Sequence, residues 1–82
     1  MSGRVPSPCI DVCQLERASG WCLGCGRTGD EIAAWPRLDD AARDRMTARL
    51  PARLDALGLP ADPAARREEG ERRARKQRMG EA

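Results

Sequence analysis

Four cysteines give this chain its clearest candidate chemistry, because they form two close pairs within seventeen residues. The first pair has three intervening residues and the second has two, with eight residues between the pairs. Two pairs that each present two sulfurs are typical of a closed four-thiolate site, which zinc prefers. The longer spacing of the first pair leaves an iron–sulfur cluster open, and reduced thiols or two disulfides without metal are a third interpretation. The candidate metal ligands, with Zn²⁺ favoured, are Cys9, Cys13, Cys22 and Cys25.

The glycines of the second pair predict a tight turn around the sulfurs. Gly24 and Gly26 permit positive φ and a close approach of backbone N–H groups to sulfur. Such contacts stabilise bound thiolates. Four thiolates around one divalent ion leave an excess of negative charge, which neighbouring arginines are expected to offset in part. These arginines are Arg4, Arg17 and Arg27.

The size and composition of the chain indicate why a metal would be needed. The chain has 82 residues, no histidine, and two tryptophans as its only aromatic residues. Chains of this size rarely gain more than ~3–5 kcal/mol from one core and usually add disulfides, a metal or a partner. No apolar signal segment or membrane-spanning stretch is present. We therefore expect a cytoplasmic protein with reduced thiols and no membrane partner, and the arginine- and alanine-rich composition favours a bacterial source.

A first short helix is expected directly after the cysteines. Thr28 and Glu31 have the spacing of a capping box, in which each side chain accepts a hydrogen bond from the backbone of the other residue. Pro36 disfavours helical geometry at Trp35 and should end this helix. We expect the side chains that cover the metal site to be Trp21, Ile32 and Trp35.

A second helix is expected to begin at Asp39 as N-cap. Pro51 should break or kink it, and Gly58 should end it in a left-handed turn. One face carries an apolar stripe at every fourth position, and the opposite faces are charged. The stripe consists of Leu38, Ala42, Met46 and Leu50, and the charged faces carry Arg43, Asp44, Arg45 and Arg49.

The last part of the chain is highly charged and has no apolar face. Residues 60–82 contain seven basic and five acidic side chains, which accounts for the whole positive excess of the chain. We therefore predict a four-cysteine metal-binding domain with a helical C-terminal half over residues 1–59. Residues 60–82 are predicted to be a charged, solvent-exposed helix or a disordered tail.

The predicted fold class is a small, metal-stabilised, mainly α protein. A four-cysteine, zinc-finger-like loop and knuckle region at residues 5–27 is followed by two to three short helices and the polar tail. Nothing in the sequence supports an enzyme, because there is no histidine base and no phosphate loop. A closed four-cysteine site also has no open position for a substrate.

Three functions remain open at this point. The favoured one is a non-enzymatic metal centre that organises an interaction surface for another protein of unknown identity. The first alternative is an iron–sulfur protein for electron transfer or redox sensing. The second is a nucleic-acid-binding accessory, because a basic strip on the second helix and the basic segment 72–78 could contact phosphates. The strip consists of Arg45, Arg49 and Arg53.

Several short motifs occur together between residues 7 and 54. They are a Ser-Pro-Cys start, a Cys-x-Gly-Cys-Gly-Arg-Thr turn, Glu31-Ile32, Trp35 and an Arg-Leu-Pro-Ala-Arg-Leu stretch. In these motifs the chain resembles the short bacterial proteins of domain-of-unknown-function family 1289, often labelled predicted iron–sulfur proteins. The resemblance implies that the four cysteines are ligands of a metal or cluster, and it implies no assigned activity.

Overall fold

A computed structural model describes residues 6–80 of the chain. In this part the cysteine segment comes first and three α-helices follow: α1 (Gly29–Ala34), α2 (Asp40–Ala56) and α3 (Pro63–Gly80). A single turn of 3-10 helix, Trp35–Arg37, connects α1 to α2. The protein is therefore small and mainly helical, with its cysteines in two close pairs ahead of the helices, as the sequence predicts. The expectations for Arg4, and for residues 1–5 and 81–82 of the two predicted units, lie outside the described residues.

Both predicted helix starts are confirmed. At α1, the Thr28 hydroxyl accepts the backbone N–H of Glu31 at 3.1 Å, and the Glu31 carboxylate accepts the backbone N–H of Thr28 at 2.8 Å. At α2, the Asp39 carboxylate accepts the backbone N–H of Ala42 at 2.8 Å. Each cap satisfies N–H groups that have no partner within the first turn of a helix, so both helices begin at positions determined by local sequence.

The two prolines have different effects on the helices. Pro36 lies in the 3-10 turn, and α1 ends two residues before it, as predicted, but Trp35 itself keeps helical geometry, with φ of −48° and ψ of −47°. Of the break or kink predicted at Pro51, the break is wrong, because α2 continues through this residue to Ala56. A proline inside a helix removes one hydrogen bond, but Leu50 and Leu54 on either side of Pro51 are both buried. Their burial favours the uninterrupted helix.

Gly58 ends α2 as expected. Its φ of +71° lies in the left-handed region that glycine adopts without strain. The backbone N–H of Gly58 donates to the carbonyl of Asp55, and that of Leu59 donates to the carbonyl of Leu54, both at 2.9 Å. This pattern is a Schellman motif, and it turns the chain back toward the cysteine segment.

The apolar core is small and lies where α2 ends. Leu54, Leu57 and Leu59 form one buried cluster, and Trp21 from the cysteine segment packs against it. The cluster therefore joins the cysteine segment to the second helix. None of the helices between residues 6 and 80 combines the length and the apolar character that crossing a membrane requires.

The C-terminal segment forms α3, and this helix packs on the cysteine segment. The expectation of a tail with no docking face is wrong, because Gly70 and Ala74 are both buried. A Cβ atom at Gly70 would lie 2.6 Å from the carbonyl oxygen of Leu23, so only glycine permits this approach. The face of α3 that packs on the cysteine segment consists of small residues. Such a face has no periodic pattern of large apolar side chains, which is the sequence signal of a buried helix face. Whether residues 1–59 form a separate domain stays a prediction.

Candidate metal centre

The four cysteines line one cavity. It has a volume of about 220 Å³ and is otherwise lined by apolar side chains, a glycine and one arginine. All four are free thiols; Cys22 and Cys25 are buried, whereas Cys9 and Cys13 are exposed. The two pairs therefore face one cavity in different environments, and their shared ligation of one metal ion stays a prediction. The remaining lining residues are Leu15, Arg27, Gly29 and Ile32.

Backbone pairing brings the two cysteine-bearing segments together. Leu15 and Cys22 form an antiparallel bridge, and the backbone N–H of Leu23 donates to the carbonyl of Gln14 at 2.8 Å. The N–H of Cys22 donates to the carbonyl of Arg27 at 2.7 Å, which closes the turn that carries the second pair. These hydrogen bonds hold the second pair beside the residues that follow the first.

The prediction that Gly24 and Gly26 provide positive φ and N–H contacts to sulfur is confirmed in part, because each glycine provides only one of the two. The backbone N–H of Gly24 lies 3.4 Å from the Cys22 sulfur and donates to it. Gly26 has a φ of +85°. Gly24 is needed for close packing, since a Cβ atom there would lie 2.9 Å from the Cβ of Val12. The two glycines thus have separate roles, one for proximity and one for backbone conformation.

Hydrogen bonds within the buried pair separate the pKa values of its two thiols. A hydrogen bond from Cys25, followed by backbone N–H groups that include that of Gly24, lowers the pKa of Cys22 against the opposing effect of burial. The same bond to Cys22, together with burial, raises the pKa of Cys25. Cys22 is therefore the sulfur that this turn favours as a thiolate.

The exposed pair depends on an unusual local backbone. The sulfurs of Cys9 and Cys13 are 3.7 Å apart, and the backbone N–H of Asp11 donates to the Cys9 sulfur at 3.4 Å. Asp11 and Cys13 have φ values of +64° and +51°, a region that residues with a side chain rarely adopt. The pKa of Cys13 is raised, first by its hydrogen bond to Cys9 and also by the charge of Cys22. The sequence did not indicate this strained backbone.

The sulfurs fit a four-thiolate centre in number, type and common cavity. A metal–sulfur distance of ~2.3 Å gives a tetrahedral sulfur–sulfur edge of about 3.8 Å, close to the 3.7 Å between Cys9 and Cys13. Across residues 6–80, however, no group of three or more cysteine or acidic side chains is arranged so that it could hold a metal ion. Shared ligation of one ion would therefore require the sulfurs of the two pairs to move closer together.

Arg27 is the charged residue of this cavity. It is only 3% exposed, and its Nε donates to the Cys25 sulfur at 3.3 Å. A terminal nitrogen of the same guanidinium lies 3.5 Å from the Ser7 hydroxyl and donates to it. Of the three arginines expected to offset negative charge, Arg27 is thus placed beside a sulfur. The side chain of Arg17 is exposed.

The predicted cover of tryptophans and isoleucine is partly confirmed. Ile32 lines the cysteine cavity. Trp35 is buried and reaches the site through Arg27, whose guanidinium carbon lies 5.1 Å from the ring centroid. Trp21 instead packs on the leucine cluster. The sequence also placed Arg43 on an outer charged face, which is wrong, because Arg43 is buried over the Trp35 ring.

Side chains of α3 hold the backbone of the cysteine segment. The amide of Gln77 accepts the backbone N–H of Arg17 at 3.1 Å and donates to the carbonyl of Leu15 at 2.9 Å. The Nε of Arg66 donates to the carbonyl of Gly24, inside the turn of the buried pair, at 2.8 Å. Sequence reasoning missed these supporting residues, because no spacing rule connects a charged helix to a loop more than forty residues away.

The basic strip on α2 is shorter than predicted. Arg45 and Arg49 are exposed, but Arg53 points toward the cysteine turn. Its guanidinium contacts the Glu31 carboxylate at 2.5 and 3.1 Å and the carbonyl of Gly26 at 3.2 Å. Arg53 therefore connects α1, α2 and the turn, and it is not part of an open phosphate-binding row.

The basic residues of α3 are partly neutralised within the helix. Arg72 and Arg73 contact Glu69 at 2.6 and 2.7 Å, and Arg67 contacts Glu71 at 3.2 Å. Such exposed pairs stabilise a helix only slightly. They also reduce the local excess of positive charge that contacts to nucleic acid would use.

A comparison with known families agrees with the motifs of the cysteine segment. The family model of a protein of unknown function (DUF1289) matches residues 7–54, which is more than half of the chain. The chain belongs to this family. The DUF1289 match contains all four cysteines, Arg27 and most of α2, whereas α3 lies beyond it. No curated protein and no solved structure matches the chain.

Proposed function

We propose that this chain is a small, non-catalytic metal-binding module. Cys9, Cys13, Cys22 and Cys25 would hold one metal ion, with zinc favoured, and the ion would fix the surface that a protein partner recognises. The observation that carries this proposal is the convergence of four free thiols on one cavity. A resident zinc ion with four sulfur ligands supplies structural stability and has no open position for substrate.

The donor groups around the sulfurs support metal ligation. Backbone N–H groups donate to the sulfurs of Cys9 and Cys22, and the guanidinium of Arg27 donates to that of Cys25. Sulfur is a weak acceptor as a thiol, and donors of this kind stabilise it much better as a metal-bound thiolate. Three of the four sulfurs therefore have partners suited to the ligated state.

The rim of the cavity supports a role in protein recognition. Leu15 and Ile32 line the cavity and remain 39% and 36% exposed. The two exposed apolar side chains border the same cavity, so a partner that covers the cavity would bury both of them. A metal that draws the exposed cysteine pair toward the buried pair would fix the position of this rim.

Metal content and ligand variants test the proposal. We expect protein purified without added chelator to contain one zinc per chain by elemental analysis. Each of Cys9→Ser, Cys13→Ser, Cys22→Ser and Cys25→Ser should lower the bound zinc and remove the thermal stabilisation that zinc provides. Met79→Ser is the matched control, because it replaces a sulfur-containing side chain that is exposed and does not line the cavity. Zinc content unchanged in all four cysteine variants would overturn the proposal.

An iron–sulfur cluster is the second candidate, because the four thiols that line the cavity are also the usual ligand set of such clusters. The N–H donors to sulfur are equally suited to a cluster. Anaerobic purification distinguishes the two candidates: a brown protein with equal amounts of iron and inorganic sulfide supports the cluster, and a colourless protein with one zinc excludes it.

A further inference from the structure

Arg27 is a buried cation that has no carboxylate partner within residues 6–80. Its side chain is 3% exposed, and none of the ion pairs formed between residues 6 and 80 includes it. Removing a charge from water is strongly unfavourable unless the protein supplies an opposite charge. A negative group that lies against Arg27 therefore lowers the cost of burying its charge.

The contacts of Arg27 point to the sulfurs as that negative group. Its Nε donates to the Cys25 sulfur at 3.3 Å, and a terminal nitrogen donates to the Ser7 hydroxyl at 3.5 Å. The same hydroxyl accepts the backbone N–H of Cys9 at 3.3 Å. One guanidinium thus connects the buried cysteine pair to the segment that presents the exposed pair.

Arg27 also packs on the ring of Trp35, which it shares with Arg43. The guanidinium carbons of Arg27 and Arg43 each lie 5.1 Å from the Trp35 ring centroid. Arg43 is also buried, but its Nε and a terminal nitrogen donate to the Trp35 carbonyl, and it does not contact a cysteine. The two arginines therefore share one ring and differ in whether they contact sulfur.

We infer that the positive charge of Arg27 balances part of the negative charge of the four-cysteine centre. It thereby stabilises the state in which all four cysteines bind the metal as thiolates. This inference rests on the proposed metal-binding function. One divalent ion and four thiolates together carry an excess of two negative charges, and a fixed guanidinium at the sulfurs lowers the energy of that state. Arg27 is a positioning residue in this role, and the cysteines remain the ligands.

Zinc affinity is the first test, measured on the full chain by competition with a chelator. Arg27→Met removes the charge and should weaken zinc binding at least about tenfold. Arg27→Lys keeps the charge and should recover most of this loss. Arg43→Met is the matched control, since it removes a buried arginine from the same ring but not from a sulfur, and it should bind zinc as the wild type does.

A second measurement separates the effect of charge from a purely structural effect. In iron-loaded protein, the ferrous centre carries one more negative charge than the ferric centre. Loss of the Arg27 charge should therefore weaken Fe²⁺ binding more than Fe³⁺ binding and lower the reduction potential. A structural role alone would weaken both oxidation states equally and leave the potential unchanged.

The outcomes distinguish this inference from the proposed function. Wild-type protein that binds no metal through its cysteines overturns both. Wild-type protein that binds zinc, with Arg27→Met equal to wild type in affinity and potential, overturns the inference alone. If Arg27→Met does not fold, Arg27→Lys still tests the inference. This variant keeps the positive charge, so a zinc affinity as low as that of a cysteine variant would show that Arg27 does not act through its charge.

Discussion

The two cysteine pairs face the same cavity but are held in place by different parts of the protein. Cys22 and Cys25 are buried in a turn that contacts α2 and α3. Cys9 and Cys13 are exposed, and a left-handed backbone at Asp11 and Cys13 brings their sulfurs together. The difference teaches that burial holds the sulfurs of the second pair directly, whereas the first pair depends on an unusual local backbone and on the packing of Val12 against Gly24. Substitutions that remove buried contacts should therefore destabilise the turn of the second pair much more than the segment of the first pair.

Shortening Leu23 should have the largest effect. This residue lies between the two buried cysteines and is 1% exposed. Leu23→Ala is expected to lower the free energy of unfolding by about 2–5 kcal/mol, because it leaves a cavity under the turn. Leu15→Ala is the control beside the exposed rim and should change stability by about 0.5 kcal/mol. Denaturant unfolding with a chelator present measures both, and equal losses would contradict the comparison.

Replacing one sulfur in each pair compares the pairs directly. In metal-free protein, Cys25→Ser places a more polar hydroxyl in a buried position and should lower the free energy of unfolding by about 1–3 kcal/mol. Cys9→Ser is exposed and should stay within about 0.5 kcal/mol of wild type. Thermal unfolding of both chelated variants provides the measurement. A larger loss in Cys9→Ser would show that the exposed pair is the better packed half.

A methyl group at Gly70 should disturb the buried pair from the side of α3. Its Cβ would lie 2.6 Å from the Leu23 carbonyl, so Gly70→Ala should lower the free energy of unfolding by about 1–3 kcal/mol. Gly80→Ala is the matched control on the same helix, where a Cβ meets no atom within 4 Å. Hydrogen exchange of residues 22–25 should increase only in Gly70→Ala. Unchanged exchange in both variants would mean that α3 does not support the turn.

The smallest expected effect concerns the ion pair of Glu31 and Arg53, which supports the carbonyl of Gly26. The Arg53 guanidinium lowers the pKa of Glu31 below its ordinary value of 4.5. The pair therefore contributes fully to stability above this pH, and the contribution is lost as pH falls through the lowered pKa. Glu31→Gln should lower the free energy of unfolding by about 1 kcal/mol at neutral pH.

The pH dependence of this difference is the decisive measurement. The gap between wild type and Glu31→Gln should narrow as the solution is acidified below the ordinary pKa of the carboxyl group. Asp30→Asn, in the same turn but exposed, is the control for a general loss of negative charge. A gap that stays constant through the acid range would show that Arg53 does not stabilise the charged form of Glu31.

Features set by neighbouring residues could be predicted from the sequence. The capping box of Thr28 and Glu31, the cap at Asp39 and the turn at Gly58 depend on short-range hydrogen bonds or on φ, so residue type identifies them. The convergence of the cysteines on one cavity also follows from their spacing. Metal ligation itself stays a prediction, since no metal-holding group is present in residues 6–80.

Features set by distant contacts could not be predicted. Arg43 and Arg53 look like solvent-facing helix residues, but each bonds to a carbonyl that the fold places beside it. Gly70 and Ala74 give no hydrophobic signal, although they form the buried face of α3. The sequence is equally compatible with Trp21 on the sulfurs and with Trp21 on the leucine cluster, where the structure places it. For Arg53, Gly70 and Trp21 the deciding partner is far away in the sequence, whereas for Arg43 it is the carbonyl of Trp35, eight residues earlier.

The bonds of Gln77 have a consequence for the order in which the fold is acquired. This residue bonds to the backbone of Arg17 and Leu15 across 60 and 62 positions of sequence. Contacts of such high contact order form late, because a long loop must close before they contribute. On a ribosome, α1 and α2 can form while Gln77 has not yet been added. The cysteines are therefore synthesised early, and their segment is completed last.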